Sequence, residues 1–194
     1  MLFLHVTHLA VQQNRRERHG AESAAAHRLL EALMAELHLP PAPVRTTSKG
    51  RPYLEGLPFV DFSLAHTKGL AVCALAHQAE GAAPRVGVDA EGIVAYSEAK
   101  IEALAARFFG EHERAFVARS TNKPAAFTEV FTRKEAFAKY TGDGLGRHWG
   151  GTDTLHPDFE RAHGVHLFTY LQNGIAICLC TSESEEAAPP CIVK

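Results

Sequence analysis

Apolar positions along the chain change period several times, and each change marks an element. Residues 2–10 form a mostly apolar run of strand length. Over 21–38 the leucines 29, 30, 33 and 37 recur at helical spacing, the stripe of a helix buried on one face. Pro40, Pro41 and Pro43 end that helix and open a linker, since proline lacks the N–H that a helix interior needs. Two extended runs follow, VDFSLAHT and LAVCALA, with Lys68 and Gly69 between them. Glycine takes the positive φ of a tight turn without steric cost, so this reads as a hairpin. GAAPR at 81–85 is a break, and VGVDAE at 86–91 reads as a strand.

Helices dominate the next stretch. Residues 97–109 are amphipathic and Ser97 is placed to cap them; Gly110 separates a shorter helix at 111–119. Asn122-Lys123-Pro124 is a helix start with proline in the first turn, and that helix should run to Tyr140 with Gly142 just beyond. VHLFTYLQ, Asn173-Gly174 and IAICLCT then repeat the earlier hairpin. Gly69 and Gly174 stand 105 residues apart, and at that offset LAVC falls on IAIC and the helix at 23–37 falls on 128–142. Two diverged copies of one α+β unit would explain the echo, although any two apolar hairpins look somewhat alike. The acidic, proline-containing end at 183–194 is expected to fray.

Composition narrows the classes. With 194 residues, 46% hydrophobic and 22% charged, the chain can bury one core or two small ones sharing an interface. A formal net charge of -2 speaks against nucleic acid as the main partner. No apolar run is long enough to span a membrane, and the first residues lack the layout of a signal peptide, so a cytoplasmic protein is expected. Cys73 and Cys178 sit in strand-like apolar runs as small buried hydrophobes, and the two-residue step from Cys178 to Cys180 is not a zinc spacing.

Candidate chemistry lies in two segments. Asp89 and Glu91 share one face of their strand, with Cα atoms about 7 Å apart. Two carboxylates so placed repel unless a cation lies between them; a strand face open to water would carry them harmlessly. Gly87 beside them would let a ligand approach the backbone. On the helix FTEVFTRKEAFAKYTG, Phe127, Phe131, Glu135 and Lys139 follow at i+4 steps on one face. That pair is either a surface ion pair or a third metal carboxylate followed by a phosphate-binding lysine. Arg15, Arg16, Arg18, Lys49, Arg51 and Lys134 could serve a phosphate, and His66 could donate to one.

These segments together resemble the 4'-phosphopantetheinyl transferase superfamily. The residues are Gly87-Val88-Asp89-Ala90-Glu91; Arg107-Phe108-Phe109 with Glu111 and Glu113; and Phe131-Thr132-Arg133-Lys134-Glu135-Ala136 with Lys139 and Gly142-Asp143-Gly144-Leu145. Upstream, Lys49-Gly50-Arg51-Pro52 and Phe62-Ser63-Leu64-Ala65-His66-Thr67 are similar to further family elements. Phe131 stands where the family has Trp, and Ala65 lacks a hydroxyl that could touch a phosphate.

The resemblance implies an α+β fold of two similar halves about a pseudo-twofold axis, each a helix on a small antiparallel sheet. The N-terminal half would be 1–85, with the nucleotide contacts, and the C-terminal half 86–182, with the metal and catalytic motifs. It implies Mg²⁺ held by Asp89, Glu91 and Glu135, and coenzyme A contacted by Arg16, Arg51, His66, Lys134 and Lys139. Glu135 and Lys139 would be catalytic, with Glu135 as general base. The partner would be an apo acyl or peptidyl carrier protein, with no nucleic acid or membrane, and the protein a monomer. The alternative is a coenzyme-A-binding regulatory or assembly protein of the same fold without turnover.

Overall fold

The computed structural model describes residues 1–10, 14–144, 149–183 and 191–193. Strand β1 (Leu2–His8) leads into helix α1 (Arg15–Glu36), which begins well before its leucine stripe. The opening RRERHG carries no apolar residue, so periodicity does not reveal it; Asn14 starts the helix by accepting the Arg16 N–H. Further along, α1 buries Leu30, Leu33 and Met34 against Phe62 and Leu75. The segment after Pro43 is more than a linker. Strands β2 (Val44–Thr46) and β3 (Pro52–Leu54) pair as an antiparallel ribbon too short and exposed to show alternation. Strands β4 (Val60–Thr67) and β5 (Leu70–His77) form the expected hairpin, with Lys68 and Gly69 both at positive φ (33° and 82°).

The second unit holds β6 (Val86–Gly92), α2 (Glu98–Phe108), α3 (Glu111–Arg119), α4 (Lys123–Thr141), α5 (Phe159–His163), β7 (His166–Gln172) and β8 (Ile175–Thr181). Ser97 caps α2 by accepting the Lys100 N–H, and Asn122 caps α4 by accepting that of Ala125. Gly142 closes α4 in the left-handed region at φ 75°. The β7–β8 turn repeats the positive-φ pair, at Asn173 and Gly174 (52° and 74°).

The protein is therefore α+β, with small antiparallel sheets each backed by a long helix. One sheet runs β4-β5-β1 and the other β6-β8-β7, each with the hairpin's second strand in the middle. A further strand, β9 (Cys191–Val193), lies parallel to β1 at the edge of the first sheet. It corrects the expectation of a frayed end for those three residues, because the free edge of β1 offers a backbone ladder to pair with. The rest of that segment from 184, like Leu145, lies outside the described residues.

The two sheets pack face to face. Leu4, Val6, Val72 and Ala74 of one meet Val86, Val88 and Leu179 of the other, while α1 and α4 cover the outer faces. Side chains stitch the seam. Asp61, Ser63 and Thr67 of β4 accept the backbone N–H groups of Val86, Val88 and Gly92 of β6, each partner 25 residues on. Ala65 interrupts this ladder and is buried in the core between the sheets, so its missing hydroxyl is lost to the seam and not to a phosphate. Gly87 is also explained differently from the sequence reading. A Cβ there would lie 2.3 Å from the Ala136 carbonyl oxygen and 2.4 Å from the Tyr140 nitrogen, so the close visitor is the α4 backbone and not a ligand.

Candidate active site

Pressing α4 onto β6 brings Asp89, Glu91, Glu135 and Lys139 together. Lys139 Nζ donates to Asp89 Oδ1 at 2.8 Å and to the Leu64 carbonyl at 3.2 Å. The other Asp89 oxygen, Oδ2, is buried without a hydrogen-bond partner. Burial, then the Asp89 charge, pushes the Glu135 carboxyl up to about 8, with Glu91 adding to the rise and Lys139 opposing it. Burial and Asp89 likewise raise Glu91 to about 7, against Lys139 and Lys68. Three carboxyls thus crowd Lys139, with Lys68 acting on Glu91 alone, and carboxyls outnumber the ammonium groups beside them.

Among the described residues, no group of three or more His, Cys, Asp or Glu side chains is arranged to hold a metal ion. The donors nonetheless fit magnesium. They are hard oxygen ligands, one of them buried and unpartnered, and Mg²⁺ is ordinarily held by one or two carboxylates together with substrate phosphates.

A cavity opens on either side of the cluster. One, of about 280 Å³, is lined by Lys49, Arg51, Ser63, Leu64, Lys139 and Gly142. The other, of about 330 Å³, is aromatic, lined by Tyr96, Phe108, Phe127, Phe131 and Trp149, with Glu91 at its margin. Lys139 belongs to the first cavity and Glu91 to the second, so the carboxylates stand between a basic chamber and an apolar one. Phe131 stacks with Phe127 and meets Trp149 edge-on, which keeps the wall aromatic without a Trp at 131.

The basic residues expected at the site have different fates. The Arg51 guanidinium faces the basic cavity but is largely engaged. It grips both oxygens of Asp61 (2.9 and 2.7 Å) and donates to the carbonyls of Val86 (2.8 Å) and Lys139 (3.2 Å). Lys134 is placed differently from what the sequence reading expects: its buried ammonium bonds Glu113 at 2.8 Å and the Thr152 carbonyl. Arg16 is exposed in the first turn of α1. His66 lies near Lys139, with its Nδ1 3.5 Å from Glu22 Oε2 and its ring edge-on to His19 at 4.7 Å. Burial, then His19, lowers its pKa, with Glu22 opposing.

Two neighbours escaped the sequence reading. Lys68, read only as a turn residue, lays its stem over Gly92 and acts electrostatically on Glu91. A lysine in a hairpin turn facing the strand that carries Asp89 and Glu91 was the available signal. Glu22 gave a subtler one, an acid immediately before the alanine run of α1.

Comparisons with known proteins bear on the family of the chain. The family model described as the 4'-phosphopantetheinyl transferase superfamily matches residues 85–191, just over half of the chain. A curated relative, the 4'-phosphopantetheinyl transferase HetI of Nostoc sp. strain PCC 7120, is 34% identical over 106 residues, covering 52% of this chain and 41% of that protein.

Proposed function

We propose that this chain, which belongs to the 4'-phosphopantetheinyl transferase superfamily, transfers the 4'-phosphopantetheine arm of coenzyme A to a serine of an apo acyl or peptidyl carrier protein. The observation that carries the reading is the carboxylate cluster between a basic and an aromatic cavity. A molecule with an anionic nucleotide at one end, a pyrophosphate in the middle and an uncharged arm fits that order. Lys49 and the remaining Arg51 N–H line the nucleotide side, with His66 and Arg16 at its α1 end. The aromatic cavity receives the arm.

The serine oxygen bonds to the pantetheine-bearing phosphorus as the bond to the bridging pyrophosphate oxygen breaks, and 3',5'-ADP leaves. Glu135 accepts the serine proton, directly or through a water. Lys139 neutralises charge growing on the bridging oxygen. Asp89, Glu91 and Glu135 would hold Mg²⁺, which when bound supplies charge neutralisation at the pyrophosphate. No helix among the described residues is long and apolar enough to cross a membrane. The reading places the enzyme in the cytoplasm as a monomer.

Glu135→Gln tests the central step. It should bind coenzyme A within about tenfold of wild type and transfer at least about a hundredfold more slowly at saturating Mg²⁺, read by intact mass of the carrier protein. Full recovery of kcat at high Mg²⁺ would remove the base role and leave the ligand role.

A further inference from the structure

Helix α1 carries one buried acid that the reaction above does not use. Glu22 is 5% exposed, and a carboxylate so placed is costly unless its oxygens are matched. Oε1 accepts the Gly69 N–H at 2.5 Å and lies 3.9 Å from Arg18 Nε. Oε2 faces His66 Nδ1 at 3.5 Å, the long end of hydrogen-bond range. Both partners belong to one hairpin, His66 near the end of β4 and Gly69 in the turn that carries Lys68.

We propose that Glu22 is a positioning residue: by holding His66 Nδ1 and the Gly69 N–H, it turns the Nε2 edge of His66 towards a phosphate at the nucleotide end of the substrate. The inference rests on the coenzyme A reading. An imidazole with a carboxylate at Nδ1 keeps its proton there, which fixes the tautomer and the ring orientation. Gaining a second proton then makes Nε2 a donor, and Glu22 favours the resulting charge where burial, His19 and Lys139 oppose it. The same carboxylate ties this histidine to the turn whose lysine acts on Glu91, linking the nucleotide side to the reacting side.

Calorimetric binding to the full chain separates positioning from mere anchoring, because Glu22→Gln keeps an oxygen for Gly69 but loses the charge. Coenzyme A, 3',5'-ADP and 3'-dephospho-coenzyme A are the ligands. Glu22→Gln should weaken the first two about tenfold or more and the third less than about twofold. In a His66→Ala background it should add less than about twofold. Equal weakening of all three ligands, or full additivity with His66→Ala, would overturn the proposal and leave Glu22 as a turn anchor. Wild-type protein that binds neither coenzyme A nor 3',5'-ADP would instead defeat the coenzyme A reading. Should Glu22→Gln fail to fold, Glu22→Asp takes its place. The ¹⁵N shifts of His66 in the wild-type protein decide independently of any variant: an Nδ1–H tautomer is expected, and an Nε2–H tautomer refutes the role.

Discussion

Helix α4 presents two lysines, Lys134 and Lys139, to two quite different pockets. Around Lys134 the charges are matched. Glu113 is fully buried, and it accepts from Lys134, the Gly110 N–H, and both the N–H and hydroxyl of Thr154. Around Lys139 they are not: Asp89 keeps a buried oxygen without a partner, and Glu91 and Glu135 add carboxyls that Lys139 and Lys68 offset only in part. Both lysines stand in the same short motif, and sequence reading gave both to coenzyme A. The contrast is between a buried ion pair whose carboxylate is fully matched and one whose carboxylate keeps an oxygen open.

The largest expected effect tests the closed pocket. Glu113→Ala should cost about 3–5 kcal/mol in urea unfolding, because it strands the Lys134 ammonium. Asp89→Asn, in the open pocket, should shift stability by less than about 1 kcal/mol without added metal, since it relieves crowding as it removes an ion pair. It should nonetheless cut transfer at least about a hundredfold. Equal destabilisation by the two would collapse the comparison.

A smaller effect sharpens it through pH. Glu91 and Glu135 hold protons up to about 7 and 8 in the folded chain, above their ordinary value of 4.5. Between those limits the folded state binds more protons than the unfolded one, so stability from these groups falls as pH rises. A divalent cation must displace the same protons. Mg²⁺ should therefore raise the melting temperature more at pH 8 than at pH 6 in scanning calorimetry, and a gain that shrinks towards pH 8 would contradict the open pocket.

The smallest effect concerns the seam. Ala65→Ser should restore the missing rung opposite Ala90 and stabilise the protein by about 1 kcal/mol. A loss of stability would mean that the core between the sheets has no room for the hydroxyl.

Much of this fold is written locally in the chain. Asn122 and Gly142 bracket α4 because a cap and a left-handed stop act within one turn, and Lys68-Gly69 and Asn173-Gly174 announce hairpins for the same reason. The short ribbon of β2 and β3 carries no such signal, although its loop places Lys49 and Arg51 at the basic cavity. The cluster of Asp89, Glu91, Glu135 and Lys139 was legible from its motifs. The fates of Lys134 and Arg51 were not, since Glu113 and Asp61 reach them only through tertiary contacts.

Gly87 gives the protein something like a gauge. With only a hydrogen on that Cα, the α4 backbone rests against β6, and Glu135 immediately precedes Ala136, whose carbonyl marks the contact. The width of the jaw between strand carboxylates and helix carboxylate is thus set by the absence of one methyl group. Mg²⁺ takes oxygens at roughly 2.0–2.1 Å and Ca²⁺ at roughly 2.3–2.6 Å, a difference smaller than the displacement a side chain at 87 would force. Under the magnesium proposal, a glycine at 87 would thereby govern how small an ion the carboxylates beside it could take.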